Sequence, residues 1–322
     1  MSNMQFNVWS EFQPLSRAVV GNICGVEEID IPFANQKHID NLKTIFEYTF
    51  EDLEKVKTAL ANCNIQVEQC QSFPLRGASP PLQPRDWFMV YGDTVISPLQ
   101  NKEYNKPKSK SLDHIFVKQV QGDYIDTASF LRCGNDVFYS DDYGDQGTEA
   151  GEKFVCNTIR DINPNVKIHK ISDCGAHLDG SIFFVAPGLM LTSIDKTKLP
   201  KCLLEWDIID CDHPDAMQVT SANVWENLFK YKHKKFHPLI VEKWMWYKNA
   251  NPEETCFSLN ALSINEQCVM MPGYNKYVFN ELNKRKIECI NLDLKSLDFW
   301  DTGLHCFTNE LNRTGECVDY FS

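Results

Sequence analysis

The sequence lacks several features that would assign it to a common class of protein. No apolar run approaches the roughly 20 residues that span a bilayer, and residues 1–12 show no basic segment followed by an apolar one, so we expect neither a membrane association nor a signal peptide. The formal net charge of −12 disfavours a nucleic-acid partner, which would need a basic surface. The thirteen cysteines form no Cys-x-x-Cys pair, which indicates a reduced, cytoplasmic protein without a bound metal.

Signatures of nucleotide binding are also missing from the sequence. It contains neither a P-loop nor a GxGxxG motif, so we predict no nucleotide cofactor. Hydrophobic residues make up 43% of the chain and aromatic residues 12%, which is sufficient for a sizeable buried core. We interpret residues 1–322 as one domain built around that core.

A repeated pattern of apolar runs is the main feature that the chain does have. A buried strand is predicted at 17–21, and four later stretches each show two short apolar runs around a turn, which is typical of a β-hairpin. These four stretches are 86–97, 129–140, 182–192 and 257–271. Helical periodicity is present at 39–62, 147–160 and 275–286, and each of these leads to a short strand. The repetition of such modules predicts a quasi-symmetric α/β architecture, either radial or solenoid.

The segment 225–250 differs in character from the repeated modules. It is both aromatic and basic, with residues such as Trp225, Lys234 and Trp244. Binding to a membrane surface or to a partner is one interpretation. A helix that packs its aromatic side chains inward and keeps its lysines in solvent is the interpretation that we favour.

Polar residues occupy a shared position in successive modules, just before or at the start of the first strand of each hairpin. If the modules surround an axis, the same edge of each module meets at one centre. Five side chains would then converge there. They are Asp86, Asp126, His177, Asp179 and Cys306, the last of which follows Leu304-His305 near the C-terminal end of the sequence.

This set of side chains has a coherent chemistry. A thiol becomes a strong nucleophile when a nearby base or cation promotes its ionisation. His177 can act as that base, and Asp126 can fix the tautomer of its ring. Asp86 and Asp179 are surplus to such a triad, and paired carboxylates are the usual partners of a planar guanidinium. His177 and Asp179 are two positions apart, so on a strand they would share one face.

Each of these residues also has an ordinary structural explanation. Asp86 follows Pro-Arg and is equally compatible with a plain turn, and Asp126 before Thr127 fits an Asx-turn. A single histidine is more often structural than catalytic, and Cys306 could belong to the core. The shared position of the residues in successive modules favours a common site.

These residues lie in a series of motifs that resembles the amidinotransferases, a group within the guanidino-group-modifying, or pentein, superfamily. The series runs essentially from end to end of the chain. It consists of Trp9-Ser10-Glu11-Phe12-Gln13-Pro14-Leu15, Pro84-Arg85-Asp86, Ile125-Asp126-Thr127-Ala128-Ser129-Phe130, His177-Leu178-Asp179, and Leu304-His305-Cys306-Phe307-Thr308 followed by Arg313-Thr314-Gly315.

The resemblance implies a fold and a reaction. The fold would be a pseudo-fivefold α/β propeller of five modules around a central active site. The activity would be transfer of the amidino group of L-arginine to a small amine, with release of ornithine, by a ping-pong mechanism without cofactor or metal. A homodimer is also implied.

The resemblance further implies a role for each matched position. Cys306 would be the nucleophile, His177 the general acid and base, and Asp126 the carboxylate that orients His177. The guanidinium-binding acids would be Asp86 and Asp179.

The chain departs from the family pattern at several positions. Ser129 replaces the second acid of one motif, and Lys196 stands where relatives often carry an arginine near the substrate carboxylate. Lysine keeps that charge but loses the bidentate geometry. Residues 299–303 are bulkier than the glycine-rich run usual before the cysteine. A guanidine hydrolase of the same fold and a non-catalytic binding protein that uses segment 225–250 remain alternatives.

Overall fold

Five small β-sheets form the framework of the part of the chain that the computed structural model describes, namely residues 6–23, 36–70, 82–98, 124–142, 147–175, 177–216, 257–300 and 302–322. The strands are β1 (Leu15–Val20), β2 (Gln66–Gln69), β3 (Met89–Tyr91), β4 (Thr94–Ile96), β5 (Phe130–Cys133), β6 (Asp136–Ser140), β7 (Lys167–Ile171), β8 (Ile182–Ala186), β9 (Leu189–Thr192), β10 (Asp207–Asp210), β11 (Leu262–Asn265), β12 (Cys268–Met271), β13 (Glu288–Asn291) and β14 (Thr308–Arg313). Their order in the sheets is β14-β1-β2, β3-β4, β5-β6-β7, β8-β9-β10 and β11-β12-β13.

The sheets share one local plan. In three of them a hairpin of two antiparallel strands is followed by a third strand that runs parallel to the second strand of the hairpin. The β3-β4 hairpin has the same antiparallel pairing. All four predicted hairpins are therefore confirmed. The turns after β3 and β5 contain Gly92 at φ 58° and Gly134 at φ 64°, a backbone region that favours glycine.

Amphipathic helices provide several of the crossovers to the parallel strands. The helices Gln36–Asn62, Glu149–Ile162 and Lys276–Lys284 confirm the three predicted helices to within a few residues at each end. The first of them buries Phe46, Leu53 and neighbouring apolar side chains against strand β1. No helix in the described ranges is long and apolar enough to cross a membrane. The basic and aromatic segment 225–250 lies outside the described residues.

The fifth sheet joins the two ends of the described chain. Strand β14 pairs antiparallel with β1, and β2 pairs parallel with the other edge of β1. The pairing brings Val20 beside Thr308, so the segment that carries Cys306 lies in the same sheet as the start of the chain. The pattern of one hairpin and one parallel strand is thus completed by residues from opposite ends of the sequence.

Short helical turns precede the first hairpin strand of four sheets and precede β14 in the fifth. They are Pro84–Trp87, Thr127–Ser129, Leu178–Gly180, Phe257–Leu259 and Leu304–Phe307. The first turn contacts the second and the last, the second contacts the third, and the third contacts the fourth. The carbonyl oxygen of Asn260, directly after the fourth turn, accepts hydrogen bonds from the backbone N–H groups of Leu304 and His305. The five turns therefore form a closed ring, and the radial interpretation of the modules is confirmed.

Two details of local structure differ from what the sequence patterns indicate. Pro84 begins a helical turn, where a proline at the first position loses no hydrogen bond. His177 and Asp179 were expected on one strand. They instead flank Leu178 at the start of a 3-10 turn, and both reach the centre because the backbone bends there.

Candidate active site

The ring of turns brings five of the predicted residues together in two groups of contacts. Asp126, directly before the second turn, faces His177, directly before the third, with 3.3 Å between Asp126 Oδ2 and His177 Nε2. One ligand atom from each of Asp86, Asp126 and His177 lies within 4.8 Å of the others. The Cys306 sulfur lies 3.8 Å from Asp179 Oδ2.

His177 is partly buried and carries a proton at neutral pH. Burial alone would lower the pKa of its imidazole, but the carboxylates of Asp86 and Asp126 outweigh this effect and raise the pKa to about 10. Because Asp126 engages Nε2, the ring nitrogen left to exchange protons with a substrate is Nδ1. This geometry suits a general acid that is oriented by a carboxylate.

Asp86 is buried at the third position of the turn Pro84–Trp87. Burial raises the pKa of its carboxyl group to about 8, and the neighbouring acids Asp126 and Asp179 add to the shift, against the opposing charge of His177. Within the described ranges, its Oδ1 atom is buried and accepts no hydrogen bond. A buried carboxylate oxygen without a donor is costly unless a ligand supplies one.

Asp179 is also buried, but its surroundings favour the ionised form. Burial would raise the pKa of this carboxyl group, but the hydrogen bond from His305 Nδ1 to Oδ2, at 2.7 Å, and the positive charges of His305, His177 and Arg85 together lower it. The second oxygen, Oδ1, is buried and accepts no hydrogen bond from the described residues. Asp86 and Asp179 thus each present one unpaired carboxylate oxygen near Cys306.

Cys306 lies buried in the last turn, Leu304–Phe307. Its sulfur is 3.0 Å from Asn260 Nδ2, and its backbone N–H donates a hydrogen bond to Asn260 Oδ1, also at 3.0 Å. The loop before the turn passes so close to Asn260 that a Cβ atom on Gly303 would lie 2.3 Å from Asn260 Cβ. Glycine at position 303 is therefore required for this approach.

A buried network of charged side chains surrounds His305, the residue that donates a hydrogen bond to Asp179. His305 Nε2 lies 3.4 Å from both Glu11 Oε2 and Glu310 Oε1. Burial would lower the pKa of His305, but its hydrogen bonds to Asp179 and to the two glutamates raise it to about 10. Arg132, which is fully buried, donates two hydrogen bonds of 2.8 Å to Glu11 and one of 2.6 Å to Glu310. Arg132 thus fixes the two glutamates, and the glutamates hold the imidazolium of His305, which donates the hydrogen bond to Asp179.

Lys196 lies away from these residues. It is exposed in the 3-10 turn Lys196–Lys198 that follows β9. Its charge acts on Asp207, which pairs with Arg285 at 2.6 Å. The structure therefore does not bring Lys196 together with the other five predicted residues, and its role at a substrate carboxylate stays a prediction.

Two groups of side chains in the described ranges have ligand atoms close enough to hold a metal ion. Asp86, Asp126 and His177 form one group, and Glu11, His305 and Glu310 form the other. The second group is already neutralised by Arg132 and by the protonated His305. In the first group His177 is protonated and already supplies a positive charge beside the two acids. A histidine binds a metal ion only as the neutral imidazole. The donor chemistry at the centre therefore fits an organic cation better than a metal ion.

Sequence reasoning missed Asn260, Glu11, Arg132 and Glu310, and it quoted His305 only as part of a motif. A signal for Arg132 is present, because a charged residue within an apolar strand requires a buried partner. Its partner Glu11 lies 121 positions earlier, and no local pattern identifies it. Asn260 gives no such signal, since asparagine next to a strand is common.

No protein-family model matches the chain. Among curated proteins, the mitochondrial glycine amidinotransferase of Xenopus tropicalis is 24% identical over 211 residues, which cover 62% of this chain and 40% of that protein. The aligned region therefore spans less than half the length of that relative.

Solved structures match over nearly the whole chain. The inosamine-phosphate amidinotransferase of Streptomyces griseus is 17% identical, with a TM-score of 0.68 and coverage of 98% of this chain and 99% of that one. The N-terminal domain of ArgZ, an arginine dihydrolase from cyanobacteria, was solved covalently bound to a reaction intermediate. It is 12% identical, with a TM-score of 0.55 and coverage of 94% and 99%.

These structural matches establish the fold as the five-module α/β propeller. The curated matches are to amidinotransferases, and the predicted motifs of this chain lie on the turns that form the ring. The chain therefore has the pentein fold, and its sequence is similar to those of amidinotransferases.

Proposed function

We propose that the protein is an amidinotransferase that moves the amidino group of L-arginine to a small amine through an amidino-cysteine intermediate on Cys306. One observation carries this proposal. The buried oxygens Asp86 Oδ1 and Asp179 Oδ1 accept no hydrogen bond within the described ranges, and Asp179 lies beside the Cys306 sulfur. The pair of acids is thus ready to receive a ligand with several N–H donors.

A guanidinium meets the requirements of these two acids. It is planar, remains charged at neutral pH, and presents several N–H donors in a fixed geometry that matches carboxylates. Its charge would also remove the cost of ionising the buried Asp86. A simple ammonium ion provides a single point charge and lacks this planar geometry.

In the first half-reaction the Cys306 thiol would lose its proton to solvent as the cationic substrate binds, and the thiolate sulfur would form a bond to the guanidinium carbon. As the carbon–nitrogen bond to the ornithine side breaks, the departing nitrogen takes a proton from His177, and ornithine leaves as the amine. His177 becomes neutral, and Cys306 carries the amidino group as a thioether. Asp126 stabilises the imidazolium before this transfer and fixes the ring.

The second half-reaction would reverse these roles. An acceptor amine loses a proton to His177 as its nitrogen bonds to the amidino carbon, and the carbon–sulfur bond breaks. The cationic product then occupies the same two acids until it dissociates. Asp179 lies so close to the sulfur that a thiolate is disfavoured in the empty site, whereas a bound cation offsets that repulsion.

A guanidine hydrolase is the alternative, and one specific observation favours it. The arginine dihydrolase domain has the same fold and forms a covalent intermediate. In such a reaction water would take the place of the acceptor amine. The curated relatives are transferases, which supports transfer as the first choice.

Product analysis distinguishes the two reactions. The protein is incubated with L-arginine alone and then with a panel of primary amines and amino acids, while ornithine, citrulline and ammonia are quantified. Ornithine that appears only with an acceptor, in equal amount to a new guanidino compound, supports transfer. Citrulline or ammonia without an acceptor supports hydrolysis and contradicts transfer.

Replacing Asp86 with asparagine should weaken arginine binding by roughly ten- to a hundredfold, because a hydrogen bond to a charged group is lost. The amide resembles the protonated carboxyl of the empty site, so thermal stability should not fall. Equilibrium binding by calorimetry in a Cys306→Ala background, which prevents turnover, measures the change. Asp93→Asn, in the exposed turn after β3, is the matched control. An unchanged arginine affinity in Asp86→Asn would remove Asp86 from the site.

Arginine binding should release a proton below pH 8. The pKa of Asp86, raised to about 8 by burial, keeps the carboxyl protonated at pH 6–7, whereas pairing with a guanidinium requires the carboxylate. Affinity should therefore rise by up to about tenfold per pH unit below pH 8 and level off above it. Calorimetry in the Cys306→Ala background, which has no thiol proton to release, in two buffers of different ionisation enthalpy reports the released proton. The release should disappear in Asp86→Asn, and its persistence there would assign the proton to another group.

We further propose that the protein works as a homodimer in the reducing cytoplasm. No disulfide joins the eleven cysteines of the described ranges, in agreement with a reducing compartment. Size-exclusion chromatography with light scattering tests the dimer, and subcellular fractionation tests the location.

A further inference from the structure

Asn260 occupies a position in the ring that corresponds to those of the predicted site residues. It directly follows the turn Phe257–Leu259, whereas Asp126 and His177 directly precede the second and third turns. All three residues therefore flank a turn of the ring. It is buried, and both ends of its side-chain amide contact Cys306. The fourth module therefore also contributes a side chain to the centre, in addition to the four modules that supply acids, histidine and cysteine.

The orientation of the Asn260 amide is fixed by its surroundings. The backbone N–H of Cys306 is a donor, so the side-chain atom that faces it at 3.0 Å must be the acceptor Oδ1. The other end, Nδ2, can only donate, and it lies 3.0 Å from the Cys306 sulfur. The backbone of Asn260 reinforces this arrangement, because its carbonyl oxygen accepts from the N–H groups of Leu304 and His305.

The Cys306 sulfur is consequently an acceptor toward Asn260. A thiol sulfur accepts hydrogen bonds weakly, whereas a thiolate accepts them strongly, so this contact stabilises the ionised form more than the neutral one. The opposite neighbour, Asp179 Oδ2 at 3.8 Å, can only accept a proton from the thiol. The sulfur therefore lies between a group that favours the thiol and a group that favours the thiolate.

We propose that Asn260 is a catalytic residue that donates a hydrogen bond to the Cys306 sulfur and thereby stabilises the thiolate that attacks the substrate and leaves in the second half-reaction. This inference rests on the proposed nucleophilic role of Cys306. With Asn260, all five modules contribute a side chain to the reacting centre, and each neighbour of the sulfur has a separate role. Asp179 receives the guanidinium, and Asn260 holds the nucleophile.

The test is the pH dependence of alkylation of Cys306 by iodoacetamide, read at that residue by peptide mass spectrometry because the chain has thirteen cysteines. Asn260→Ala removes both the donor to the sulfur and the side-chain acceptor of the Cys306 backbone N–H. Asn260→Asp keeps an acceptor for the Cys306 N–H and replaces the donor with a charged oxygen. We expect the midpoint pH to rise by about one unit or more in Asn260→Ala, and further in Asn260→Asp.

A purely structural role predicts a different result for the neutral variant. If Asn260 only anchors the backbone, Asn260→Ala should keep the midpoint of the wild type, and this result would overturn the proposal. Asn163→Asp is the matched control, because Asn163 also directs its amide nitrogen at a cysteine sulfur, that of Cys317 at 3.4 Å, outside the site. The Cys306 midpoint should not change in that variant.

The same experiment separates this inference from the proposed function. If Cys306 of the wild type resists alkylation up to high pH and Cys306→Ser retains turnover, both proposals fail. If Cys306 is alkylated and essential while the two Asn260 variants match the wild type, only the role of Asn260 fails. A parallel drop in kcat with little change in KM for arginine in Asn260→Asp is the kinetic result that we expect.

Discussion

Replacing Cys306 with alanine is expected to lower kcat by about 10⁴-fold or more, because the sulfur forms the covalent bond of both half-reactions. Arginine binding should remain within a few-fold of the wild type, since Asp86 and Asp179 supply the guanidinium contacts and neither is altered. The two effects are measured by ornithine release at saturating substrate and by calorimetric titration with arginine. A large loss of turnover with retained binding would identify a residue of the chemical step.

Cys289→Ala is a suitable control for this experiment. Cys289 is a partly buried cysteine of strand β13, outside the five turns of the ring, and it packs beside a hydrophobic core cluster. It should retain wild-type turnover. Substantial turnover in Cys306→Ala would rule out the covalent mechanism. Loss of arginine binding in the same variant would indicate instead that the turn Leu304–Phe307 had rearranged.

The largest effect on stability is expected from Arg132→Met. Arg132 is fully buried, pairs with both oxygens of Glu11, and also contacts Glu310 at 2.6 Å. Methionine fills much of the same space but leaves two buried carboxylates without this cation. Removing one partner of a buried ion pair typically costs about 3–5 kcal/mol of the free energy of unfolding. Denaturation in urea, rather than in guanidinium chloride, avoids a denaturant that resembles the proposed substrate.

Lys153→Met provides the matched comparison for Arg132→Met. Lys153 forms an ion pair with Glu149 one helical turn away on an exposed helix surface. Exposed pairs of this kind contribute about 0.3–0.5 kcal/mol. A loss in Arg132→Met no larger than in Lys153→Met would show that the buried network does not stabilise the fold.

Much of the fold is predictable because local patterns determine it. The hairpins follow from short apolar runs on both sides of turns, as at Gly92 and Gly134, and the long helices follow from apolar periodicity. The helical turns at Pro84–Trp87 and Leu178–Gly180 were not predicted, since three or four residues are too few to show a period. They matter nonetheless, because they aim Asp86 and Asp179 at the centre.

Part of the candidate site could likewise be predicted from the sequence, and part of it could not. The convergence of Asp86, Asp126, His177, Asp179 and Cys306 could be predicted from their shared position in the modules. The side chains that contact and orient these five residues could not be predicted. Asn260 is 46 positions from Cys306, and the pairing of Arg132 with Glu11 depends on how the segment before β1 lies against strand β5. Such buried polar contacts are set by the tertiary structure, where each unsatisfied group would be costly.

The pairing of β1 with β14 has a consequence for how the protein matures. Val20 and Thr308 must meet before the ring of turns closes, so most of the chain has left the ribosome before Cys306 can reach Asp126 and His177. Contacts so distant in sequence form late in folding, because the entropy lost in closing a long loop must first be compensated. An incomplete chain that ends before position 306 therefore holds the acids and the histidine of the proposed site without their thiol.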